Sequence, residues 1–277
     1  MPYQAAIQRT EPTAFIFLVD QSGSMTDKMN SERTKAQFVA DVLNRTLMNL
    51  VTRCTKSDGV RDYFHLGVLG YGASGVVNGF RNDLSNLVLN PISSVEANPL
   101  RVEDRKKKAD DGAGGIVEQS IKFPVWFDAV GNGGTPMCAA ITRVAEELAV
   151  WCDTHRAGYP PTVLHVTDGE STDGDPEQLA DALKQLQTGD GPVLIFNLHV
   201  SSVQGDSVSF PSSSQGLPDS FAEKLFQMSS QLPEHLIRFA REKGRAVNSE
   251  SRGFMFNAEA GDIVDFFDIG TRAAQLR

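Results

Sequence analysis

Phe15-Ile16-Phe17-Leu18-Val19 is apolar without alternation, and it runs straight into Asp20-Gln21-Ser22-Gly23-Ser24-Met25. An unbroken apolar run of this length reads as a strand buried on both faces, which a parallel sheet with helices on each side supplies. In such sheets ligands bind beyond the carboxyl ends of the strands. Alternate residues of an extended turn point the same way, so Asp20, Ser22 and Ser24 can converge on one point. Three hard oxygen donors suit a small hard cation, Mg²⁺ above all, with Mn²⁺ or Ca²⁺ possible. The same residue types also cap helices and make turns, and the stretch alone fits both uses.

Two later stretches shift that balance. Gly131-Asn132-Gly133-Gly134-Thr135-Pro136-Met137 delivers a threonine from a glycine-rich loop to the start of a helix, with Pro136 suited to its first turn. Thr162-Val163-Leu164-His165-Val166-Thr167-Asp168-Gly169-Glu170 is a second apolar strand that ends in an acid and a glycine. Asp20 and Asp168 therefore take equivalent strand ends.

The series D-x-S-G-S, G-G-T-P, T-D-G resembles the metal-ion-dependent adhesion site of von Willebrand factor A domains. It looks most like the intracellular bacterial members that carry D-x-S-G-S-M. The resemblance implies an Mg²⁺ held by Asp20, Ser22, Ser24, Thr135 and Asp168. Ser22 and Ser24 would coordinate directly, the two aspartates directly or through water, and Thr135 would shift between the two modes. It further implies an open position filled by a Glu or Asp of a partner protein, hence a regulatory or scaffolding interaction module and not an enzyme. A short antiparallel edge strand also belongs to that pattern.

The rival reading is an Mg²⁺-dependent hydrolase of phosphatase type working through Asp20 and Asp168. Haloacid-dehalogenase chemistry wants a second acid two residues after the nucleophile, and Gln21-Ser22 stands there instead. There is no G-x-S-x-G elbow and no P-loop. The histidines His65, His155, His165, His199 and His235 have no metal-ligand spacing, and His165 and His199 read as core residues on strands.

A net charge of −9 argues against nucleic acid or an anionic membrane surface as partner. The basic run Arg105-Lys106-Lys107-Lys108 is flanked by acids and reads as a solvated loop. No apolar stretch reaches the roughly 20 residues of a spanning helix. Cys54, Cys138 and Cys152 are too few and too scattered for a disulfide framework. The expectation is a cytoplasmic chain without membrane insertion, with Cys138 and Cys152 as small core residues.

Helical spacing predicts helices over residues 25–53, 136–153 and 175–186, one or two between 221 and 243 broken near Pro233, and a closing helix over 261–276. Strands are predicted at 62–71, near 75–77, at 162–167, at 192–200 and near 253–256. Ser201 to Ser214 reads as loop. Residues 79–130 look least orderly: an irregular insertion near the metal rim, with a charged Gly-rich segment at 101–115 and one hairpin arm at 116–125. The alternation predicts an α/β fold, one doubly wound and mostly parallel sheet with helices on both faces, over a single domain of residues 1–277.

Overall fold

The computed structural model describes residues 2–29, 33–110, 116–200, 207–258, 260–272 and 276. Besides two short antiparallel hairpins, Thr55–Lys56 with Gly59–Val60 and Gln187–Thr188 with Gly191–Pro192, its strands in chain order are β1 (Thr13–Asp20), β2 (Phe64–Gly72), β3 (Gly75–Asn78), β4 (Asn90–Pro91), β5 (Arg101–Asp110), β6 (Ile116–Val125), β7 (Thr162–Thr167), β8 (Leu194–His199), β9 (Val208–Ser209) and β10 (Phe254–Phe256). The helices are α1 (Lys35–Cys54), α2 (Ile92–Ala97), α3 (Met137–Thr154), α4 (Glu177–Gln185), α5 (Ser220–Met228), α6 (Glu234–Glu242) and α7 (Ala260–Gly270).

β1 is buried along its whole length. It sits between β2 and β7, parallel to both, in a sheet ordered β9-β10-β8-β7-β1-β2-β3. Short β4 adds to β2 on the far side. The pairs β7–β8 and β8–β10 are parallel, whereas β3, β4 and β9 run antiparallel to their neighbours. This is the predicted α/β class, a doubly wound and mostly parallel sheet with the expected antiparallel edge at β3 and a second antiparallel edge at β9.

The two-residue period of β1 serves both faces. Phe15, Phe17 and Val19 enter a core shared with α1, α2, α6 and α7, while Ala14, Ile16 and Leu18 enter a second core shared with α3, α4 and α5. Each large side chain so buried contributes about 1.5–3 kcal/mol. The sheet therefore holds the C-terminal ends of β1 and β7 rigidly side by side, with Val19 in register with Val166.

The differences from the sequence expectations have local causes. α1 begins at Lys35 and not at residue 25, because Gly23–Thr26 forms a 3₁₀ turn and Thr34 caps the helix. The Thr34 hydroxyl accepts the Gln37 N–H while the Gln37 side chain accepts the Thr34 N–H, a reciprocal cap that fixes the start. The segment at 79–130 is ordered where described. β5, read as charged loop, is a ten-residue strand paired along its length with β6, the arm that was foreseen. Asn44 of α1 anchors the exit of that hairpin: its Oδ1 accepts the Trp126 and Phe127 N–H groups, and its Nδ2 donates to the Ala40 and Phe127 carbonyls. Arg105 lies over the Phe123 ring at 3.7 Å and pairs with Asp41 of α1.

β9 is a short strand inside the stretch read as loop, of which residues 201–206 lie outside the described residues, as do 111–115 of the charged segment. α7 ends at Gly270, short of the expected residue 276. His165 and His199 are buried, as read. Cys152 is buried but Cys138 is only half-buried, its Sγ 3.7 Å from Ser171 Oγ, so it belongs to the rim of the sheet edge and not to the core.

Candidate metal centre

All five residues singled out from the sequence come to one edge of the sheet. Asp20 ends β1, fully buried. Its Oδ1 accepts the Ser22 N–H at 2.8 Å and its Oδ2 accepts the Thr167 hydroxyl at 2.7 Å. Burial pushes the Asp20 carboxyl above its ordinary range; the bonds from Ser22 and Thr167 oppose that shift, and the Asp168 charge adds to it.

Ser22 keeps an extended backbone before the 3₁₀ turn, so its side chain and that of Ser24 fall on the same side. Their Oγ atoms are 3.0 Å apart, and Ser24 Oγ donates to Asp168 Oδ1 at 2.7 Å. Ser22 is buried, Ser24 exposed, and the Asp168 side chain wholly covered. The carboxylates thus form the floor and Ser24 the mouth.

Thr135 arrives on a loop stitched to the β1 turn. Asn132 N–H donates to Gln21 O, Gly23 N–H to Gly133 O, and Ala73 N–H to Asn132 O. Gly133 has φ +83°, and a Cβ there would stand 2.6 Å from the Ala73 Cα, so conformation and space both demand glycine. Thr172 closes the loop from the other side: its hydroxyl accepts the Thr135 N–H, and its own N–H donates to Thr135 O. Asp173 then accepts the Cys138 and Ala139 N–H groups at the start of α3; burial would raise its carboxyl, but these bonds hold it below the usual range.

A Cβ at Gly169 would lie 3.7 Å from Thr135 Oγ1 and 3.8 Å from Ser24 Oγ. Both hydroxyls therefore face the small space that this glycine leaves open. Among the described residues the Thr135 hydroxyl has no hydrogen-bond partner, and no group of three or more His, Cys, Asp or Glu side chains is placed to hold a metal elsewhere. Two carboxylates with three hydroxyls is a donor set for a hard, oxygen-seeking cation and not for zinc. The residues fit Mg²⁺ or Mn²⁺.

Four contributors were not read from the sequence. Thr167 sits in the quoted T-D-G motif, but its bond to Asp20 has no sequence signal. Thr172 and Asp173 lie in a polar loop without pattern. Lys35 is the largest addition: its Nζ donates to Asp168 Oδ2 at 2.7 Å, with its side chain only 4% exposed.

No protein-family model matches this sequence, and no curated protein matches it. Solved structures do. The pilus adhesin SpaC from Lactobacillus rhamnosus GG is similar at TM-score 0.51 and 11% identity, over 93% of this chain and 30% of that one. Proximal thread matrix protein 1 from the mussel byssus matches at 0.48 and 16%, over 95% of this chain and 48% of that one. Manganese-loaded TRAP protein of Plasmodium vivax matches at 0.42 and 14%, over 92% and 72%. The SpRpn10 VWA domain matches at 0.41 and 12%, over 79% and 83%. At these identities the likeness is one of fold. The chain spans about half the length of the mussel protein and under a third of the adhesin.

Proposed function

We propose that the protein is a divalent-metal-dependent protein-binding module that recognises a Glu or Asp of a partner. The observation that carries this reading is the single cluster of Asp20, Ser22, Ser24, Asp168 and Thr135 at the carboxyl edge of the sheet, with the Thr135 hydroxyl free toward the space beside Gly169. Asp20, Ser22, Ser24, Asp168 and Thr135 would hold the ion. When bound, Mg²⁺ supplies an electrophilic centre that accepts one anionic oxygen. Burial keeps the two carboxylates of the floor out of water, and Ser24 at the exposed mouth leaves that oxygen a way in past the buried Thr135. Loops around the mouth would set which partner is accepted.

A metal-loaded member among the fold neighbours, the manganese-loaded TRAP protein, agrees with metal use on this architecture without extending to this chain's partner. Among the described residues no helix is long and apolar enough to cross a membrane. A regulatory role inside the cell is part of the proposal. The absence of catalysis is likewise part of the proposal; His165 is taken up by Tyr71 and Asn197, whereas His199 lies beside the Asp168 backbone.

One observation favours the hydrolase as a second reading. Lys35 paired with Asp168 beside a strand-end Asp20 is the kind of lysine that phosphoryl-transfer sites use to hold a carboxylate. The two readings separate in one experiment. The protein and Asp20→Ala are used as baits in lysate, each with Mg²⁺ and with EDTA, and then assayed against phosphate monoesters. A protein retained only by the wild type with Mg²⁺ supports the adhesion reading. Mg²⁺-dependent phosphate release lost in Asp20→Ala, with no retained protein, establishes the hydrolase instead.

A further inference from the structure

The two oxygens of Asp168 are used for different purposes. Oδ1 accepts the Ser24 hydroxyl and so faces the donor cluster, whereas Oδ2 accepts the Lys35 ammonium. Both side chains of that ion pair are buried, at 4% and 0% exposure. A buried lysine is expensive to keep, and replacing such a pair with apolar residues often leaves a fold as stable or more so. Its placement on the far oxygen of a site carboxylate calls for a purpose beyond stability.

We infer that Lys35 sets the charge of the metal centre, weakening its hold on the cation and strengthening its capture of an anionic ligand. The inference rests on the metal reading given above. Asp20 and Asp168 carry two negative charges, which a divalent ion neutralises; the hydroxyls of Ser22, Ser24 and Thr135 add donors and no charge. Without another group the loaded centre is neutral. Lys35 makes it positive, close enough to matter because burial limits screening. Asp27, 3.6 Å from Lys35 Nζ, offsets part of this charge, weakened by water because its side chain is 60% exposed. A carboxylate arriving at the open position then meets net positive charge, while an arriving cation is repelled by the same ammonium.

A merely structural ion pair predicts that both affinities fall together when it is removed. A charge-setting lysine predicts opposite signs. Mn²⁺ alone is the first probe, its binding to the full chain followed by electron paramagnetic resonance of the free ion. Acetate is the second, titrated onto the Mn²⁺-loaded protein and read from the loss of water-proton relaxation as it displaces bound water. Lys35→Met should tighten Mn²⁺ binding by about tenfold and weaken acetate binding by a similar factor, a change equal to one unit of charge interaction at partly buried range. Lys35→Arg keeps the charge and should leave both constants within about twofold. Asp27→Asn, at an exposed side chain that pairs with Lys35, should move both constants the other way by a smaller factor, so the inference stays testable even where Lys35→Met fails to fold.

Loss of both affinities in Lys35→Met, or no change in either, overturns the role of Lys35 while leaving the metal centre in place. Failure of the wild type to bind Mn²⁺ overturns the metal reading itself, and the inference with it.

Discussion

Burial works against the charged form of Asp20: it raises the carboxyl above the ordinary range, and the bonds from Ser22 and Thr167 offset that in part. A carboxyl whose folded value lies above its unfolded one destabilises the fold at every pH above that raised value, and the penalty fades as pH falls through it. Asp20→Asn removes the penalty. The variant should therefore melt higher than the wild type in EDTA at neutral pH, and should bind no Mg²⁺ in calorimetry; a lower melting temperature in EDTA would show that the carboxylate is better compensated than its environment implies. Thr135→Ala tests the opposite end of the site. Its hydroxyl holds nothing else among the described residues, so its loss should cost partner affinity more than metal affinity, measured by titrating each in turn; equal losses would remove the shifting role. At this scale the convergence of Asp20, Ser22, Ser24, Thr135 and Asp168 was legible because strand-end acids and Gly-rich turns have fixed spacing. Lys35 was not, since it reaches Asp168 from 133 residues away and follows an unpatterned segment.

Helices and strands were read well where periodicity was strong, as in β1, β7, β8 and α3, and badly where a turn or a charged surface hid the period. β5 carries alternating charges that read as solvated loop. Its pairing with β6 is set by backbone hydrogen bonds and by the buried Phe123, neither of which its own composition reveals. The loop reading makes residues 101–115 dispensable; the paired strand does not. Trimming should instead be tolerated only beyond the Lys106–Glu118 ion pair, whose own side chains are 77% and 53% exposed. Such a trimmed hairpin should melt within a few degrees of the wild type, whereas Asn44→Ala should lower stability by about 2–4 kcal/mol in urea unfolding. That variant strands two buried N–H groups and a carbonyl, each worth about 1–3 kcal/mol when left unpaired, with some relaxation. A cost below about 1 kcal/mol would mean that water or a backbone shift takes over from Asn44.

Across the whole molecule, stability is tied to one buried polar chain. Tyr71 on β2, His165 on β7 and Asn197 on β8 link through the sheet to Ser229 at the end of α5. Asn197 Nδ2 donates to Leu225 O and Ser229 Oγ, so its Oδ1 must accept from His165 Nδ1–H, and His165 Nε2 accepts from the Tyr71 hydroxyl. Every member is satisfied only with His165 neutral. Burial pushes its value down to about 4, against about 6.5 for an unfolded histidine. A base whose folded value is depressed lends stability that is whole above its unfolded value and is lost as pH falls from about 6.5 toward 4, because the unfolded chain then takes the proton. Lowering pH from 7 to 5 should cost about 2 kcal/mol from His165 alone, while His165→Gln, though less stable at pH 7, should lose less over that range. Metal provides the contrasting lever. An ion that binds only the folded chain raises stability by about 2.7 kcal/mol at a hundredfold excess over its dissociation constant. Adding Mg²⁺ should therefore raise the wild-type melting temperature by several degrees and leave Asp20→Asn unmoved, whereas the acid-induced loss through His165 should persist in both. If Mg²⁺ shifted both proteins alike, the ion would be acting on the chain's net charge of −9 and not at the carboxyl edge of the sheet.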